Sequence, residues 1–384
     1  MSQNFIALDF GSGQISAVLT VYDEDTGTCR VRHAARVLCP AVSACYILDF
    51  NAAVRAVGRL LEEMSDYATF TPTVAVGLRG DFLSFRRAGG CQSVEGRNHV
   101  ITERDVRAAL DNSVPANLDE NLEVVDLRPQ TFTIDGKTGV QNPVGLVSFF
   151  LEAETFLSVG LRSHLANLNR VMAAAGCEDF EAVPTVLALC ESLLKPEEKK
   201  SGVLLLDIGA ANSSAALYHK GMLEDAREMP FGADVILQEV ADVLQNDLDG
   251  ARQALKNYSY GDDEIMDDVL DEAARKLLLK VQAELRQSLP YIKYAPAQAV
   301  LSGGGAGLHV KNAAKSVLGL RRARIGAHDD LISDGEDLLA PQYTSALSLA
   351  LYSQKHGGRT EPVTSAKEKA AGFFDRMLAK LGLN

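Results

Sequence analysis

The stretch LLLDIGAANSSAALY, residues 204–218, decides the fold predicted for this chain. A run of leucines ends on Asp207, the chain turns at Gly209, and a second small, apolar strand begins near Ser213. A strand that ends on a carboxylate and returns at once is either a plain chain reversal or a loop built to hold a ligand. The rest of the sequence favours the second interpretation.

The same pattern opens the chain as IALDFGSGQISAVLTVYD, residues 6–23. Aligning the two stretches pairs equivalent residues along both hairpins: Asp9 with Asp207, Gly11 with Gly209, and Gln14 with Asn212. The period is far too long for a solenoid. The repeat therefore predicts two similar α/β lobes, each of which opens with a strand, an Asp-x-Gly turn and a second strand.

The tip of such a hairpin carries small residues, so several backbone N–H groups stay uncovered and can bind an anion, above all a phosphate. Two facing hairpins could hold a polyphosphate, with Asp9 and Asp207 holding a hydrated Mg²⁺ through its waters. The segment LSGGGAGL (301–308) predicts a strand that enters a helix through a glycine turn, where backbone can approach a ligand closely. One hairpin alone would indicate only a turn, but the three pieces together predict nucleotide binding.

The composition limits the classes of protein. The chain has 384 residues and a formal net charge of −13, which argues against a nucleic-acid-binding protein with a basic surface. Six cysteines are scattered without a C-x-x-C pair, which indicates reduced thiols and a cytosolic protein. The N-terminus has no basic segment of a signal peptide, and no uncharged apolar run is long enough to span a membrane. We therefore expect a soluble, intracellular protein.

The sequence pattern changes in two places, between the two hairpins and after the second one. A small α+β unit is predicted between the opening meander and the next lobe helix, and residues 236–289 have a helical pattern with no convincing strand. The predicted organisation is a first lobe at 1–73 and 156–198, an insert at 74–155, a second lobe at 199–235 and 295–355, a helical subdomain at 236–294, a flexible linker at 356–366 and a C-terminal helix at 367–384.

Several local elements are predicted within these units. A helix is expected over 51–66 from the helical spacing of its apolar residues, and Thr102 is expected to cap a helix in the insert. The further predictions are strands over 74–87 and 144–157, helices at 160–174 and in VPTVLALCESLL (183–194), and a charged linker at 195–202.

At residues 139–146 the chain reads GVQNPVGL, which resembles a G-x-x-NPVGL signature of the FtsA family. That family comprises bacterial cell-division homologues of actin in the actin/Hsp70/sugar-kinase superfamily, and it carries its own inserted subdomain at this place. Further similarities lie in LRGDFLSF (78–85), ITERDVRAAL (101–110), the adenosine-motif segment VLSGGGAGL (300–308) and QYTSALSLALY (342–352). The resemblance runs nearly end to end and implies a two-lobed actin-like ATPase fold, with duplicated RNase H-like lobes and an FtsA-type insert.

The resemblance also implies function. Members of the family bind ATP, hydrolyse it weakly or not at all, polymerise, tether FtsZ filaments to the membrane and recruit later division proteins. It implies Lys256, in ARQALKNY (251–258), as a candidate on the adenosine side. With ATP and Mg²⁺ as the expected cofactors and no catalytic residue assigned, the candidate nucleotide-binding residues are Asp9, Gly11, Ser12, Gly13, Gln14, Asp207, Gly209, Ala210, Ala211, Asn212, Ser213, Gly232, Lys256, Gly303, Gly304 and Gly305.

The second hairpin departs from the family pattern D-I-G-G-G-T-x-D. Ala210 and Ala211 replace two glycines, and Ser214 stands where the family has a carboxylate. Asn212 and Ser213 can still donate hydrogen bonds to a phosphate, so the pattern favours binding over hydrolysis. The shortened helical region at 236–289 is a second departure, and it weakens the expectation that FtsZ binds through the surface that the family uses.

The chain closes with AKEKAAGFFDRMLAKLGLN, residues 366–384. Apolar and basic residues separate onto two sides of a predicted helix: Phe373, Phe374, Met377, Leu378 and Leu381 on one side, and Lys369, Arg376 and Lys380 on or beside the other. A short helix of this kind behind a flexible linker is typical of an interfacial anchor on an anionic membrane. The alternative is a terminal helix that docks on the protein's own core.

Two other functions share parts of this pattern and stay open. A small-molecule kinase of the same superfamily would need a catalytic Asp in the cleft and a dedicated substrate pocket, for which the sequence offers no clear candidate. A non-polymerising scaffold of the type-IV-pilus assembly kind shares the inserted subdomain. The NPVGL signature and the amphipathic tail favour the FtsA family over both.

Overall fold

The structure, a computed structural model, describes residues 2–96, 98–256, 258–261, 263–329 and 331–356. The first lobe opens with an antiparallel meander, a short hairpin, a helix and a strand that returns parallel to the first. These elements are β1 (Ser2–Phe10), β2 (Gln14–Asp23), β3 (Thr28–Leu38), β4 (Val42–Ser43), β5 (Tyr46–Ile47), α1 (Phe50–Tyr67) and β6 (Thr73–Leu78). The Asp49 side chain caps α1 by accepting a hydrogen bond from the Ala52 amide, and the apolar face of the helix covers the sheet, as the spacing predicted.

An α+β insert follows β6. Its elements are β7 (Leu83–Ser93), α2 (Glu103–Asp111), β8 (Leu122–Ile134), β9 (Lys137–Val140) and β10 (Phe150–Leu161). The four strands form their own sheet in the order β7-β10-β8-β9, and α2, capped by Thr102 as predicted, closes a separate hydrophobic core.

The boundaries of the insert differ from the predicted 74 and 155. Residues 74–87 were predicted as one strand, but the structure breaks it after Leu78, because β6 pairs in parallel with β1 in the first lobe. The last strand of the insert begins at Phe150 rather than at 144 and continues to Leu161. The sheet of the insert therefore spans Leu83 to Leu161.

The chain then returns to the first lobe. The elements are α3 (Arg162–Ala174), β11 (Glu181–Pro184), α4 (Thr185–Leu193) and α5 (Pro196–Ser201). Strand β11 pairs with β6, and α3 and α4 confirm the two helices predicted here. The predicted linker at 195–202 was wrong: this segment contains α5, which Pro196 starts and in which the Glu198 side chain accepts a hydrogen bond from the Lys195 amide.

The second lobe repeats this plan around a largely helical subdomain. Its elements are β12 (Val203–Ile208), β13 (Ser213–His219), β14 (Met222–Met229), α6 (Asp234–Leu244), α7 (Leu248–Lys256), α8 (Glu264–Leu285), α9 (Leu289–Lys293), β15 (Gln298–Ser302), α10 (Leu308–Val317) and β16 (Arg322–Ile325). Wherever the structure describes residues 236–289, they are helical or in short connections, as predicted.

The last two elements, β17 (Ile332–Ser333) and α11 (Thr344–His356), lie on the first lobe, although residues 295–355 were predicted in the second. Strand β17 pairs with β3, and α11 buries Ala346, Leu349 and Ala350 against residues of β1 and β2. The chain therefore crosses back to the lobe in which it began. No helix in the described parts of the chain is long and apolar enough to cross a membrane.

The two lobe sheets have matching topology. The order β3-β2-β1-β6-β11 of the first lobe corresponds to β14-β13-β12-β15-β16 of the second. The registers also agree, because Asp9 lies opposite Gly77 of β6 and Asp207 lies opposite Ser302 of β15. The two-lobed fold predicted from the repeat is confirmed.

Candidate nucleotide-binding cleft

Three loops of the second lobe meet at the end of β12. The hairpin turn closes with a 2.9 Å hydrogen bond from the Gly209 amide to the Asn212 carbonyl. The Ala233 amide donates to the Gly209 carbonyl at 2.8 Å, and the Gly305 amide donates to the Ile208 carbonyl at 2.9 Å. The hairpin, the segment before α6 and the glycine turn before α10 therefore form one compact cradle.

Two glycines allow these loops to approach so closely. A Cβ atom at Gly232 would lie 2.3 Å from the Gly209 carbonyl oxygen, and one at Gly303 would lie 2.3 Å from the Ile208 carbonyl oxygen. Gly303 also has a φ of +87°, which favours glycine. Gly304, by contrast, faces open space. Gly232 and Gly303 are therefore needed for packing, whereas Gly304 leaves room for a ligand.

The hairpin of the first lobe is held by the loop before α1. The Gly13 amide donates to the Val42 carbonyl at 2.8 Å, and the Ala44 amide donates to the Gly11 carbonyl at 3.3 Å. At the two hairpin tips, the amides of Ser12, Ala210 and Ala211 make no hydrogen bond to any described residue. They belong to the hairpin tips at which the sequence predicts anion binding, and they have the uncovered backbone N–H groups that such binding needs.

A buried arginine lies between the two aspartates of the repeat. The Arg79 side chain, which directly follows β6, is 5% exposed. Its Nη2 lies 3.1 Å from Asp9 Oδ1, and its Nη1 lies 3.5 Å from Asp207 Oδ2. Nη2 also donates to Ser345 Oγ of α11 at 2.8 Å. One guanidinium therefore pairs with both carboxylates and links the first lobe to the second.

Glu228 of β14 adds a third carboxylate to the cleft. Its Oε2 accepts hydrogen bonds from the Gly80 amide at 3.0 Å and from Ser214 Oγ at 2.8 Å, and Asn212 Nδ2 lies at 3.4 Å. Burial raises the pKa of Glu228 to about 7, although these hydrogen bonds and Arg79 lower it. Burial also raises the pKa of Asp9, against the opposing effect of the Arg79 guanidinium. Both shifts reflect an acidic cleft with little access to water.

The matching registers of the two lobes show what is unusual about Arg79. Because Gly77 corresponds to Ser302, Arg79 corresponds to Gly304, two residues further along each chain segment. The second lobe leaves open space at this position, and the first lobe fills it with a guanidinium. The two halves of the cleft are therefore chemically different at equivalent points.

Several buried polar atoms of the hairpins, of β14 and of the strand ends in the cleft have no hydrogen-bond partner in the described structure. They are Ser12 Oγ, Arg79 Nε, Asp207 Oδ1, Glu228 Oε1 and Ser302 Oγ. Buried polar atoms in proteins nearly always have a partner, so a group of unpaired ones marks a place where a ligand or water binds. The group contains both donors and acceptors, as a site for a phosphorylated ligand requires.

The residues of the cleft do not fit a Mg²⁺ ion held by Asp9 and Asp207. Both carboxylates were predicted to hold the metal through water, but the Arg79 guanidinium occupies the space between them. A cation there would have to displace a buried, doubly paired arginine. The predicted metal site is therefore corrected to an internal ion network.

The structure places most of the predicted nucleotide-binding residues on the strand ends and loops of the cleft: Asp9, Gly11 to Gln14, Asp207, Gly209 to Ser213, Gly232 and Gly303 to Gly305. Lys256 is the exception: it ends α7, is exposed, and makes no described contact with these loops. Two open pockets, with volumes of about 420 and 370 Å³, lie elsewhere, and neither is lined by a predicted site residue. The predicted membrane-binding residues Lys369, Phe373, Phe374, Arg376, Met377, Leu378, Lys380 and Leu381 lie outside the described residues.

The sequence interpretation missed Arg79 and Glu228. A signal for Arg79 was available, because a charged residue directly after a buried strand lies at the carboxyl edge of the sheet, where ligands bind in open α/β folds. Merging β6 with the following strand concealed it. Glu228 had no comparable signal, since it lies within the alternating polar pattern of an edge strand.

Comparisons with known proteins agree with this architecture. Residues 83–158 match the family model described as the SHS2 domain inserted in FtsA. The cell division protein FtsA of Enterococcus hirae is 26% identical over 376 residues, covering 91% of this chain and 83% of that protein. Alignments to other curated FtsA proteins, at 22–25% identity, span between 51% and 91% of their lengths.

Solved structures share the fold. The protein of the PilM–PilN type IV pilus biogenesis complex superimposes with a TM-score of 0.65 at 18% identity, covering 91% of this chain and 98% of that one. MreB5 of Spiroplasma citri bound to ADP gives a TM-score of 0.51 at 11% identity, covering 92% and 96%. The fold is therefore actin-like, and the chain is similar to the bacterial cell-division protein FtsA over most of its length, including the SHS2 domain inserted in FtsA.

Proposed function

We propose that this protein is an actin-like cell-division protein of the FtsA kind. It self-assembles at the division site, tethers FtsZ filaments to the inner face of the cell membrane and recruits later division proteins. The observation that carries the proposal is the inserted unit, which interrupts the first lobe between β6 and α3 and matches the FtsA insert in sequence. The FtsA relatives that align over nine tenths of the chain support the same role.

The ligand of the cleft in this proposal is ATP. The uncovered amides of Ser12, Ala210 and Ala211 would hold the phosphates, and the open space at Gly304 would lie under the adenosine. An actin-like neighbour was solved with ADP, which supports a nucleotide here. Hydrolysis is not part of the proposal, because Ser214 stands where the family pattern has a carboxylate, and Arg79 pairs with both Asp9 and Asp207.

Calorimetric titration of the purified chain with ATP and with ADP tests this ligand. We expect micromolar binding by the native protein and at least a tenfold loss in Ala210→Glu, because Ala210 is exposed at the hairpin tip and a carboxylate there repels phosphate. The matched control is Ala116→Glu in an exposed loop of the insert. If the native protein bound neither nucleotide, the hairpins would be only turns.

Two exposed apolar surfaces support the proposed partners. On the insert, Val147, Phe149 and Phe150 are each more than half exposed. On the helical subdomain, Val243 is 53% and Ile265 is 73% exposed. Neighbouring exposed apolar residues, such as the three on the insert, commonly mark protein interaction sites. We assign the surface on the insert to self-assembly and division partners, and the one on the helical subdomain to the FtsZ tail.

The alternative is a non-polymerising scaffold of type IV pilus assembly, which the structural likeness to the PilM chain favours. Depleting the protein in its own cells separates the two functions. A cell-division protein gives long, undivided cells, and a fluorescent fusion gathers at the division site. If depleted cells divided normally but lost surface pili, the pilus function would be correct.

A further inference from the structure

We propose that Arg79 replaces a divalent cation in the cleft, so that the ion network of this protein is complete without metal. The proposal rests on the position of the guanidinium, not on the identity of the nucleotide. Arg79 contacts the aspartate at the head of each hairpin, and these are the carboxylates that would otherwise face a metal ion. The cation is thus covalently part of the chain.

The geometry suits a permanent role for this cation. Arg79 is held from three sides, by Asp9, by Asp207 and by Ser345 on α11. The following residue, Gly80, is fixed by its hydrogen bond to Glu228, so the backbone that carries the guanidinium is also anchored to the second lobe. A residue held at so many points is not one that readily swings out to admit a metal ion.

The charges of the cleft support the same conclusion. Two buried carboxylates that face each other require a counter-charge, and removing one partner of a buried ionic group leaves the other uncompensated. Arg79 supplies that counter-charge, and it cannot be deprotonated at physiological pH. Its Nε is a buried donor with no partner among the described residues, so it retains one hydrogen bond for a phosphate oxygen that enters the cleft. The guanidinium can therefore serve two functions of a metal, pairing with both aspartates and contacting an anion.

Removing the guanidinium should recreate a metal site. In an Arg79→Ala variant, Asp9 and Asp207 would face a space that water can fill. Hard divalent cations prefer carboxylate and water oxygens as ligands. The variant should therefore gain the dependence on Mg²⁺ or Mn²⁺ that the native chain lacks.

The experiment is thermal unfolding of the full chain in a chelator and in millimolar MgCl₂ or MnCl₂, without nucleotide. The native melting temperature should agree within about 1 °C between these conditions, whereas Arg79→Ala should melt lower in the chelator and gain about 3 °C or more with metal. The control is Arg36→Ala, an exposed residue on β3 of the same sheet, which should show no metal effect. A native melting temperature that rises with metal, and no longer rises in Asp207→Asn, would overturn the proposal.

A second measurement covers the case in which Arg79→Ala does not fold in the chelator. Recovery of the folded variant by Mg²⁺ would support the proposal as well. If the variant stays unfolded under both conditions, Mn²⁺ is titrated into the native protein and the electron paramagnetic resonance signal of free Mn²⁺ is followed. We expect this signal to match that of Mn²⁺ in buffer. Uptake of one ion in the cleft would refute the proposal. Because no step uses nucleotide, failure of the proposed ATP binding would be seen separately, in the calorimetric titration.

Discussion

Arg79 of the first lobe lies 3.5 Å from Asp207 of the second, and both side chains are almost completely buried. The contact makes one guanidinium a structural link across the cleft. Its removal should therefore act on stability, beyond any effect on ligands. We expect Arg79→Met to lower the free energy of unfolding by about 3–5 kcal/mol, because two buried carboxylates lose their counter-charge.

Chemical denaturation of the full chain measures this loss, and adding Asp9→Asn and Asp207→Asn to the same variant should recover much of it. Recovery identifies charge as the cause, since the neutral amides need no counter-ion. A triple variant as unstable as Arg79→Met would mean that packing, rather than charge, explains the loss.

Glu228 should make stability depend on pH. Its pKa in the folded protein, about 7, is raised above the ordinary value near 4.5, so between these values the folded state binds more protons than the unfolded state. Stability from this group is therefore largest below pH 4.5 and is lost as the pH rises through 7. The carboxylate is buried, but the residue as a whole is only partly buried, so we expect a change of about 2 kcal/mol, less than the full shift would give.

Urea unfolding of the native chain and of Glu228→Gln at a series of pH values between 5 and 8 (about the window set by these pKa values) checks this expectation. The variant should show a flatter profile over this range. Identical slopes in the two proteins would contradict the raised pKa.

Substitution by alanine should lower the free energy of unfolding at Gly232 but leave it nearly unchanged at Gly304. Gly232→Ala places a Cβ atom 2.3 Å from the Gly209 carbonyl oxygen, so the backbone must move, and we expect a loss of about 1–3 kcal/mol together with weaker nucleotide binding. Gly304→Ala meets open space and should change the free energy of unfolding by less than about 0.5 kcal/mol. Urea unfolding and calorimetry on both variants test the pair, and equal losses would argue against the close packing of the cradle.

The apolar surface of the insert should contribute to self-association. Phe149 is 64% exposed, so Phe149→Ser should leave the melting temperature unchanged and weaken self-association about tenfold. Sedimentation velocity over a concentration series measures the association. Phe70→Ser, which alters a 60% exposed residue of the first lobe, is the matched control. Equal association in all three proteins would exclude this surface from the interface.

The C-terminal segment should carry membrane binding. Removing residues 367–384 deletes the predicted helix with Phe373, Phe374 and its basic residues, and we expect the truncated chain to stop pelleting with anionic liposomes. Uncharged liposomes should capture the intact chain only weakly, since the basic residues lose their partner. If the truncated protein pelleted as well as the intact one, the membrane contact would have to lie elsewhere.

The sequence predicted the fold well because the fold is repeated. Asp9 and Asp207 each end a buried strand before a tight turn, and two copies of so specific a pattern identify the lobes. What the sequence could not reveal depends on pairing between distant strands. Residues 74–78 read equally well as part of the insert, and only their pairing with β1 assigns them to the first lobe.

The cleft shows the same limit at the level of side chains. The hairpin glycines can be predicted from the local sequence, because the turn needs them. The partners of Arg79 come from three distant segments, at Asp9, Asp207 and Ser345, so no local pattern signals their meeting. Lys256 was a candidate only through resemblance, and the structure gives it no contact with the cradle. The residues of each turn could be predicted from the local sequence, whereas the ion pairs of the cleft could be seen only in the tertiary structure.

Helix α11 connects the cleft with the base of the insert. Ser345, in its first turn, accepts a hydrogen bond from Arg79, and His356, at its end, contacts Glu191, which also pairs with Arg128 of the insert. A helix of 13 residues is about 20 Å long and resists compression along its axis. The helix therefore moves as a rigid unit. A force applied at His356 would act on the charge network of the cleft and on the base of the insert at once.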